Sequence, residues 1–420
     1  MNSWERVCIA NVCESIVDCI NKTAPIVDEP SPFKMIRTTN IRNGRVNLDS
    51  VKFVTEQVYR QWTRRQIPRT GDILLTREAP MGEVGMLVTD DYVFLGQRIV
   101  SYRTNPDYLD NKFLLYAFQS DDLQNQIKAY ASGSTVQHMR VPDTKALQIP
   151  LPSLPEQKRI VAILDEAFEG IDRAIANAEK NLANSRELFE SYLNAIFTQK
   201  NKRGEIFQLA EICEKKRVIT YGVIKLGEHI DDGVPCLRTS NVRWLYIDVN
   251  GIKRISPSLS ADYKRTILKG GEVLVNVRGT LGGVAVTTPE MAGWNISREV
   301  ALVPIDIKRV HSAYLAYWIG AKTNQQWLSG VQKGAAYTGI NLEDLRTLPV
   351  VVPDLKEQER LINSIEEVHS VSQRLEAIYR QKIAALNELK QSILQKAFTG
   401  ELTADTANQT TKAANEGIAA

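Results

Sequence analysis

Along two stretches of this chain, apolar residues recur in alternating steps of four and three. The first runs Leu164, Phe168, Ile171, Ile175, Ala178, Leu182, Ser185, Phe189, Tyr192 and Ile196, with Ser185 its only polar member. The second runs Ile365, Val368, Ser372, Leu375, Tyr379, Lys382, Leu386, Leu389 and Ile393, interrupted at Ser372 and Lys382. A 3.5-residue period held over several heptads predicts a coiled-coil seam. Each helix of about 40 residues would be on the order of 60 Å long. The competing reading, a helix packed on its own globular unit, would show a broader stripe. The segments before these helices alternate differently. Short β-rich runs at 71–75, 84–88 and 93–100 are separated by Gly and Pro, which predicts strands and turns. A helix predicted over 110–130 recurs at 312–330.

That recurrence is general. Leu154-Pro155-Glu156-Gln157-Lys158-Arg159-Ile160 aligns with Leu355-Lys356-Glu357-Gln358-Glu359-Arg360-Leu361 at a shift of 201 residues. Arg37-Thr38-Thr39-Asn40-Ile41 aligns with Arg238-Thr239-Ser240-Asn241-Val242 at the same shift. Gly71-Asp72-Ile73-Leu74-Leu75 falls on Gly271-Glu272-Val273-Leu274-Val275, and Gly82 on Gly282, at a shift of 200. The order is module, helix, module, helix, a long-period duplication. The predicted fold class is α+β: two tandem-repeated mixed α/β modules separated by two long helices. Because a whole module connects them, the helices are expected to form an antiparallel coiled coil with pseudo-two-fold symmetry. Boundaries are placed at 1–150 and 201–348 for the modules, 151–200 and 349–402 for the helices, and 403–420 for a polar, disordered tail.

Composition then narrows the chemistry. The five cysteines contain no CxxC pair and the four histidines have no HxxxH or HExxH spacing; reduced thiols and no metal site are expected. No apolar run reaches the length of a membrane span, and no secretory signal opens the chain, so a cytoplasmic protein is expected. Residues 201–348 hold 20 Lys and Arg against 14 Asp and Glu, a net of +6, whereas 349–420 hold 8 against 10 and 151–200 hold 6 against 8. Basic charge sits in the globular parts, where a duplex would be drawn.

The helix-start segment Leu151-Pro152-Ser153-Leu154-Pro155-Glu156-Gln157-Lys158-Arg159-Ile160, its recurrence after a second module, and the closing Ala397-Phe398-Thr399-Gly400-Glu401-Leu402 resemble the specificity subunit of type I restriction-modification systems. The resemblance covers residues 1 to about 402. It departs at Phe197-Thr198-Gln199-Lys200-Asn201, which lacks the Gly-Glu-Leu ending of the second copy. It implies that each module is a target recognition domain reading one half of a bipartite double-stranded DNA sequence, with the helices as a ruler between them. It also implies a scaffold for two methyltransferase subunits and for restriction and motor subunits, in defence against foreign DNA. S-adenosylmethionine, ATP and Mg²⁺ would then act on those partners and none on this chain.

Enzymatic signatures fail on inspection. Asn105-Pro106-Asp107-Tyr108 has Asp where a methyltransferase loop needs a second Pro. Pro106-Asp107 followed by Asp110-Asn111-Lys112 resembles a nuclease string, but two intervening residues are too few to set both carboxylates around one Mg²⁺. The second copy, Asp306-Ile307-Lys308-Arg309, has neither pattern. No Gly-Lys dipeptide exists to form a phosphate-cradling Walker loop. No catalytic residue is assigned.

The duplication nominates DNA contacts. Residues that position the backbone should recur, and those that read bases should differ between modules. The recurring set is Arg37 and Arg238, Thr38 and Thr239, Asn40 and Asn241, and Arg98 and Arg298, with the loop at Gly133-Ser134-Thr135 against Gly334-Ala335-Ala336. The differing set is Thr76-Arg77-Glu78 against Asn276-Val277-Arg278, and Gln137-His138 against Thr338-Gly339; arginine, asparagine and glutamine can fork onto purine edges. Arg64, in the basic and aromatic run 59–65, and its counterpart Arg265 complete the candidates. The alternatives to a DNA-recognition subunit are a coiled-coil interaction protein, an orphan DNA-binding scaffold with no restriction partner, and a self-contained DNA-modifying enzyme.

Overall fold

The computed structural model describes residues 4–131, 137–199, 204–332 and 339–403. They form two compact units: one of 1–178 with 381–420, the other of 179–380. Each unit therefore holds one globular module and one piece from each of the two long helices, Leu154–Gln199 and Leu355–Thr399.

The first module is built on a six-stranded sheet, in the order Cys13–Asp18, Ile99–Thr104, Ile73–Arg77, Met81–Met86, Gly44–Val46 and Ile41–Arg42. Phe33–Ile36 forms a second small sheet between Lys52–Phe53 and Tyr92–Leu95. The second module repeats both: Thr220–Tyr221, Val300–Val303, Val273–Asn276 and Val284–Val286 in one sheet, and Lys253–Ile255, Val234–Leu237 and Asn295–Ile296 in the other. In each module a two-stranded ribbon ties the beginning to the end: Arg6–Cys8 against Gln148–Pro150, and Glu205–Gln208 against Pro349–Val352. The chain thus leaves each module where it entered, directly before a long helix.

Two elements differ from the sequence pattern. The run 93–100 is split between two strands, because Arg98 adopts a left-handed conformation (φ 71°) between them. The helix predicted over 110–130 is two helices, Asn111–Gln119 and Asp121–Ala129, broken at an extended Ser120. The second module breaks identically at Ala321. The carbonyls freed by the breaks are taken by side-chain amides: Gln124 Nε2 donates to Phe118 O (2.7 Å), and Gln325 Nε2 to Ile319 O (2.8 Å). A satisfied carbonyl makes the break affordable.

The long helices are joined to the modules by one residue each. Gln157, fully buried, accepts from the Asp110 backbone N–H (2.9 Å) and donates to the carbonyls of Tyr108 and Pro152. Gln358 accepts from the His311 N–H (2.8 Å) and donates to the carbonyls of Arg309 and Pro353. Apolar packing completes the joint. Ile160, Leu164, Phe168 and Ile171 are buried with Leu394 and Ala397 in the core of the first module; Phe189, Leu193, Ile196 and Phe197 with Leu361 and Ile365 in that of the second.

Within each unit the two helices run antiparallel. In the first, Arg159 bonds to the Thr403 carbonyl and Asp172 to Lys390 (2.8 Å). In the second, Ser372 donates to the Ser185 carbonyl, Tyr192 bonds to Ser364, and Arg186 pairs with Glu376 (3.1 Å). The first stripe is at least half-buried throughout. The second is not: Lys382 and Leu389 are exposed, and Leu386, Ile393, Leu394 and Ala397 carry the contact instead. This end of the helix has turned from a narrow seam to the broader face that a globular core demands.

A buried carboxylate sits directly before an interior strand of each main sheet. Asp72 receives Arg103 through both of its oxygens (2.8 Å each). Its counterpart Glu272 receives Arg217 (2.8 Å), the N–H groups of Lys269 and Gly270, and the Thr287 hydroxyl. Burial alone would raise the Glu272 pKa, but these donors outweigh it and hold the carboxyl below the ordinary range.

Candidate nucleic-acid interface

In the first module several nominated residues converge where strand Ile73–Arg77 ends. The Arg77 N–H donates to the Arg98 carbonyl (2.8 Å), and the Met139 N–H to the Arg77 carbonyl (3.0 Å). The Thr38 hydroxyl reaches the Ala79 carbonyl (3.1 Å) in the turn that follows. Glu78 pairs across a β-bridge with His138, next to an exposed Gln137. The second module builds the same edge: Val277 N–H to Glu299 O (2.9 Å), Ile340 N–H to Val277 O (2.8 Å), and Arg278 bridged to Gly339.

These bonds correct the equivalence of Arg98 with Arg298. Leu87 and Thr287 each donate to the carbonyl of the buried acid, Asp72 or Glu272, a shift of 200. Ile99 and Val300 sit opposite Thr76 and Asn276, so one extra residue has entered the second module in between. Arg98 therefore corresponds to Glu299, and Arg298 to Gln97. This pair, an exposed arginine and a half-buried glutamate, is charge-reversed between modules: Glu78 and Arg98 in one, Arg278 and Glu299 in the other. In the first the pair is closed, Arg98 Nε to Glu78 Oε2 at 3.1 Å. In the second, Glu299 accepts from the Ser297 hydroxyl (2.9 Å) and lies 3.7 Å from Arg298. Arg278 is exposed, with its guanidinium carbon 5.9 Å from the Tyr221 ring centre.

Other nominated residues serve the framework. Asn40 is 2% exposed; it accepts from the Arg37 N–H (2.9 Å), and its amide points at the Ser50 carbonyl (3.4 Å). Asn241 is equally buried, accepting from the Arg238 N–H (3.1 Å) and donating to Asp248 O (3.0 Å). Arg37 and Arg238 each span the same loop, to Ser50 O and Gly251 O. Thr76 is fully buried, bonded to Pro80 O and the Glu83 N–H, and the buried Asn276 donates to the carbonyls of Val242 and Thr280. The polar atoms of the recurring asparagines and of Thr76 and Asn276 are thus directed into the module in this structure, where they bond its own backbone. Arg77 is half-buried and donates to Met139 O (2.9 Å). Thr239 lies beside the turn, its carbonyl 3.4 Å from the Asn276 amide.

The basic and aromatic run 59–65 divides by face. Tyr59 packs inside against Phe33 and Tyr92, Arg60 pairs with Glu56 and Arg65 with Asp18, while Arg64 is exposed with no ion pair to a described residue. Arg265 is likewise exposed. Ser134 and Thr338, with the loops that hold them, lie outside the described residues. Sequence reasoning missed Glu299 and Tyr221 as parts of this edge. The reversal of Glu78 against Arg278 is visible in the aligned repeats, but its meaning needs the corrected register.

The enzyme-like strings become structural. Asn105 Oδ1 accepts from the Asp107 N–H (3.0 Å) in a turn that Asp306 repeats with Lys308, and Asp110 caps the following helix at Phe113 (3.0 Å). Among the described residues no group of three or more His, Cys, Asp or Glu is placed to hold a metal, and no helix is long and apolar enough to cross a membrane. The five cysteines are free thiols; burial pushes those of Cys13, Cys213 and Cys236 up to about 12.

A duplicated module with a polar, charge-varied edge, mounted on antiparallel helices, defines a two-module recognition protein. The family model described as type I restriction modification DNA specificity domain matches residues 1–182 and again 201–388. The chain belongs to this family and carries two of its domains. It is 27% identical over 332 residues to the type I restriction enzyme EcoBI specificity subunit of Escherichia coli, covering 74% of this chain and 69% of that protein. It is 22% identical over 398 residues to the EcoKI specificity subunit of Escherichia coli K12, covering 88% and 82%. Its fold is shared with a chain from a structure of the type I R-M system (TM-score 0.73, 19% identity, 96% and 99% covered). The HsdS subunit of Thermoanaerobacter tengcongensis shares it too (TM-score 0.56, 21% identity, 96% and 98% covered).

Proposed function

We propose that this chain selects the DNA sequence on which a type I restriction-modification assembly acts, and performs no chemical step itself. Each module reads one half of a bipartite double-stranded target, the helices set the spacer between the halves, and two methyltransferase subunits and the restriction and motor subunits assemble on this scaffold. S-adenosylmethionine, ATP and Mg²⁺ belong to those partners. The observation that carries the reading is the one family domain matched twice, on two modules of the same fold whose exposed edges differ in charge. An invariant framework with a varied edge is what two half-sites of unlike sequence require.

The test is a gel shift with the co-purified methyltransferase partner, followed by exchange of residues 1–150 for the module of another family member. Sequence-selective binding is expected, and the exchange should change one half of the methylated sequence. The absence of any selective shift would overturn the proposal, as would methylation by the isolated chain.

A further inference from the structure

We infer that the charge-reversed pair at the module edge, Arg98 with Glu78 and Arg278 with Glu299, is a specificity determinant in which each module presents one arginine to a guanine edge of its half-site. The inference rests on the DNA-reading function proposed above and adds the residues and the class of base.

The argument starts from the backbone. Residues 78 and 278 follow equivalent strands, and the carbonyls of residues 98 and 299 accept from the equivalent N–H groups of Arg77 and Val277. Both modules therefore put one cation and one anion at the same two places, on opposite members of the pair. A structural ion pair can exchange its two members and stay closed, but here Glu299 lies by Arg298 and Arg278 by Tyr221, so the reversal fits residues that meet different bases better than a swapped strut.

The side chains are held as readers rather than buried as struts. The Arg98 side chain is 49% exposed and its contact with Glu78 runs through Nε, a contact that does not itself use the two terminal nitrogens of the fork. A guanidinium fixed in this way can meet O6 and N7 of guanine together. In the second module Glu299 is occupied by Ser297 and Arg298, and Arg278 is flanked by the Tyr221 ring instead. An aromatic neighbour can steady a guanidinium in place of a carboxylate. The opposing residue has changed to suit. His138 faces Glu78, but Gly339 faces Arg278, and a Cβ on Gly339 would lie 3.1 Å from Arg278 Cγ. Glycine leaves the space that the arginine stem uses.

The test compares wild-type, Arg98→Lys and Arg278→Lys chains, each assembled with the methyltransferase partner. The readouts are the methylated sequence in host DNA and Kd on a panel of single-base variants of the target. Lysine keeps the charge and the stem but loses the planar fork. Each variant is expected to lose about tenfold or more discrimination at one guanine position. That position lies in its own half-site, while the other half and the salt dependence of binding stay unchanged. Glu78→Gln should weaken discrimination at the Arg98 position only. A uniform loss of affinity with the methylated sequence intact would overturn the inference and make these residues phosphate contacts; no change in either readout would place them outside the interface. A wild-type assembly with no sequence preference would instead overturn the proposed function itself, which separates the two failures. Equal melting temperatures for all four chains establish that the variants fold.

Discussion

Gln157 and Gln358, 201 positions apart, make the same three hydrogen bonds to the same three backbone sites, each joining a long helix to its module. Both side chains are fully buried, so their loss exposes no compensating water. Substitution of either by leucine should cost about 2–3 kcal/mol, from roughly 1 kcal/mol per bond lost, measured by urea denaturation. A glutamate in their place should do worse, because the carbonyls of Tyr108 and Pro152 would then face a carboxylate in place of a donor.

Asn40 and Asn241 should behave as framework. Asn40→Ala is expected to destabilise the first module by about 1–2 kcal/mol, since it strips the Arg37 N–H of its acceptor. The base preference of the folded protein should not move. A changed methylation sequence with unchanged stability would contradict this.

The Glu272 and Arg217 pair gives a pH signature. The folded carboxyl is held below its ordinary value, so its contribution is present above the unfolded pKa and is lost as pH falls through the folded one. Arg217→Leu removes the counter-charge and lets burial raise the carboxyl. The destabilisation, about 3 kcal/mol at neutral pH, should shrink as pH falls toward about 4, because the variant's raised carboxyl is protonated in the fold and the unfolded carboxyl also takes up its proton near there. Denaturation at pH 7 and pH 4.5 compares the two directly.

Cys13, Cys213 and Cys236, pushed up to about 12 by burial, should resist alkylation in the native protein. At pH 8 about one thiol in ten thousand would be ionised, against about a quarter for a free cysteine. Iodoacetamide labelling followed by peptide mass analysis should find them slow when folded and ordinary in urea.

The ruler can be measured. One added helical turn, about 5.4 Å, in both long helices should lengthen the methylated spacer by about one or two base pairs at roughly 3.4 Å each. An unchanged spacer would refute that role.

How much was legible varies with the physics of each element. The stripe from Leu164 to Ile196 is buried as its period demands, because helical geometry alone decides which side chains share a face. The breaks at Ser120 and Ala321 are invisible in the same pattern, since they depend on Gln124 and Gln325 reaching back from a later turn. Leu389 fits the heptad yet stands exposed, because the helix surface there serves a module core. At the edge, recurrence marked Asn40 and Asn241 correctly as equivalent, but a buried strut and a ligand contact recur equally well. The reversed pair of Arg98 and Glu299 was hidden by a single inserted residue, which only strand register reveals.

The place of Leu394 and Ala397 in the first core, together with Phe113, Leu164 and Phe168, has a consequence for biosynthesis. The ribosome completes the first module some 240 residues before it makes these two side chains. The first of the two modules must then wait, with an apolar surface open, until the second module and both long helices have been translated. A stop codon just before Leu394 would leave unfinished the first of the two modules, although every residue of that module had been made.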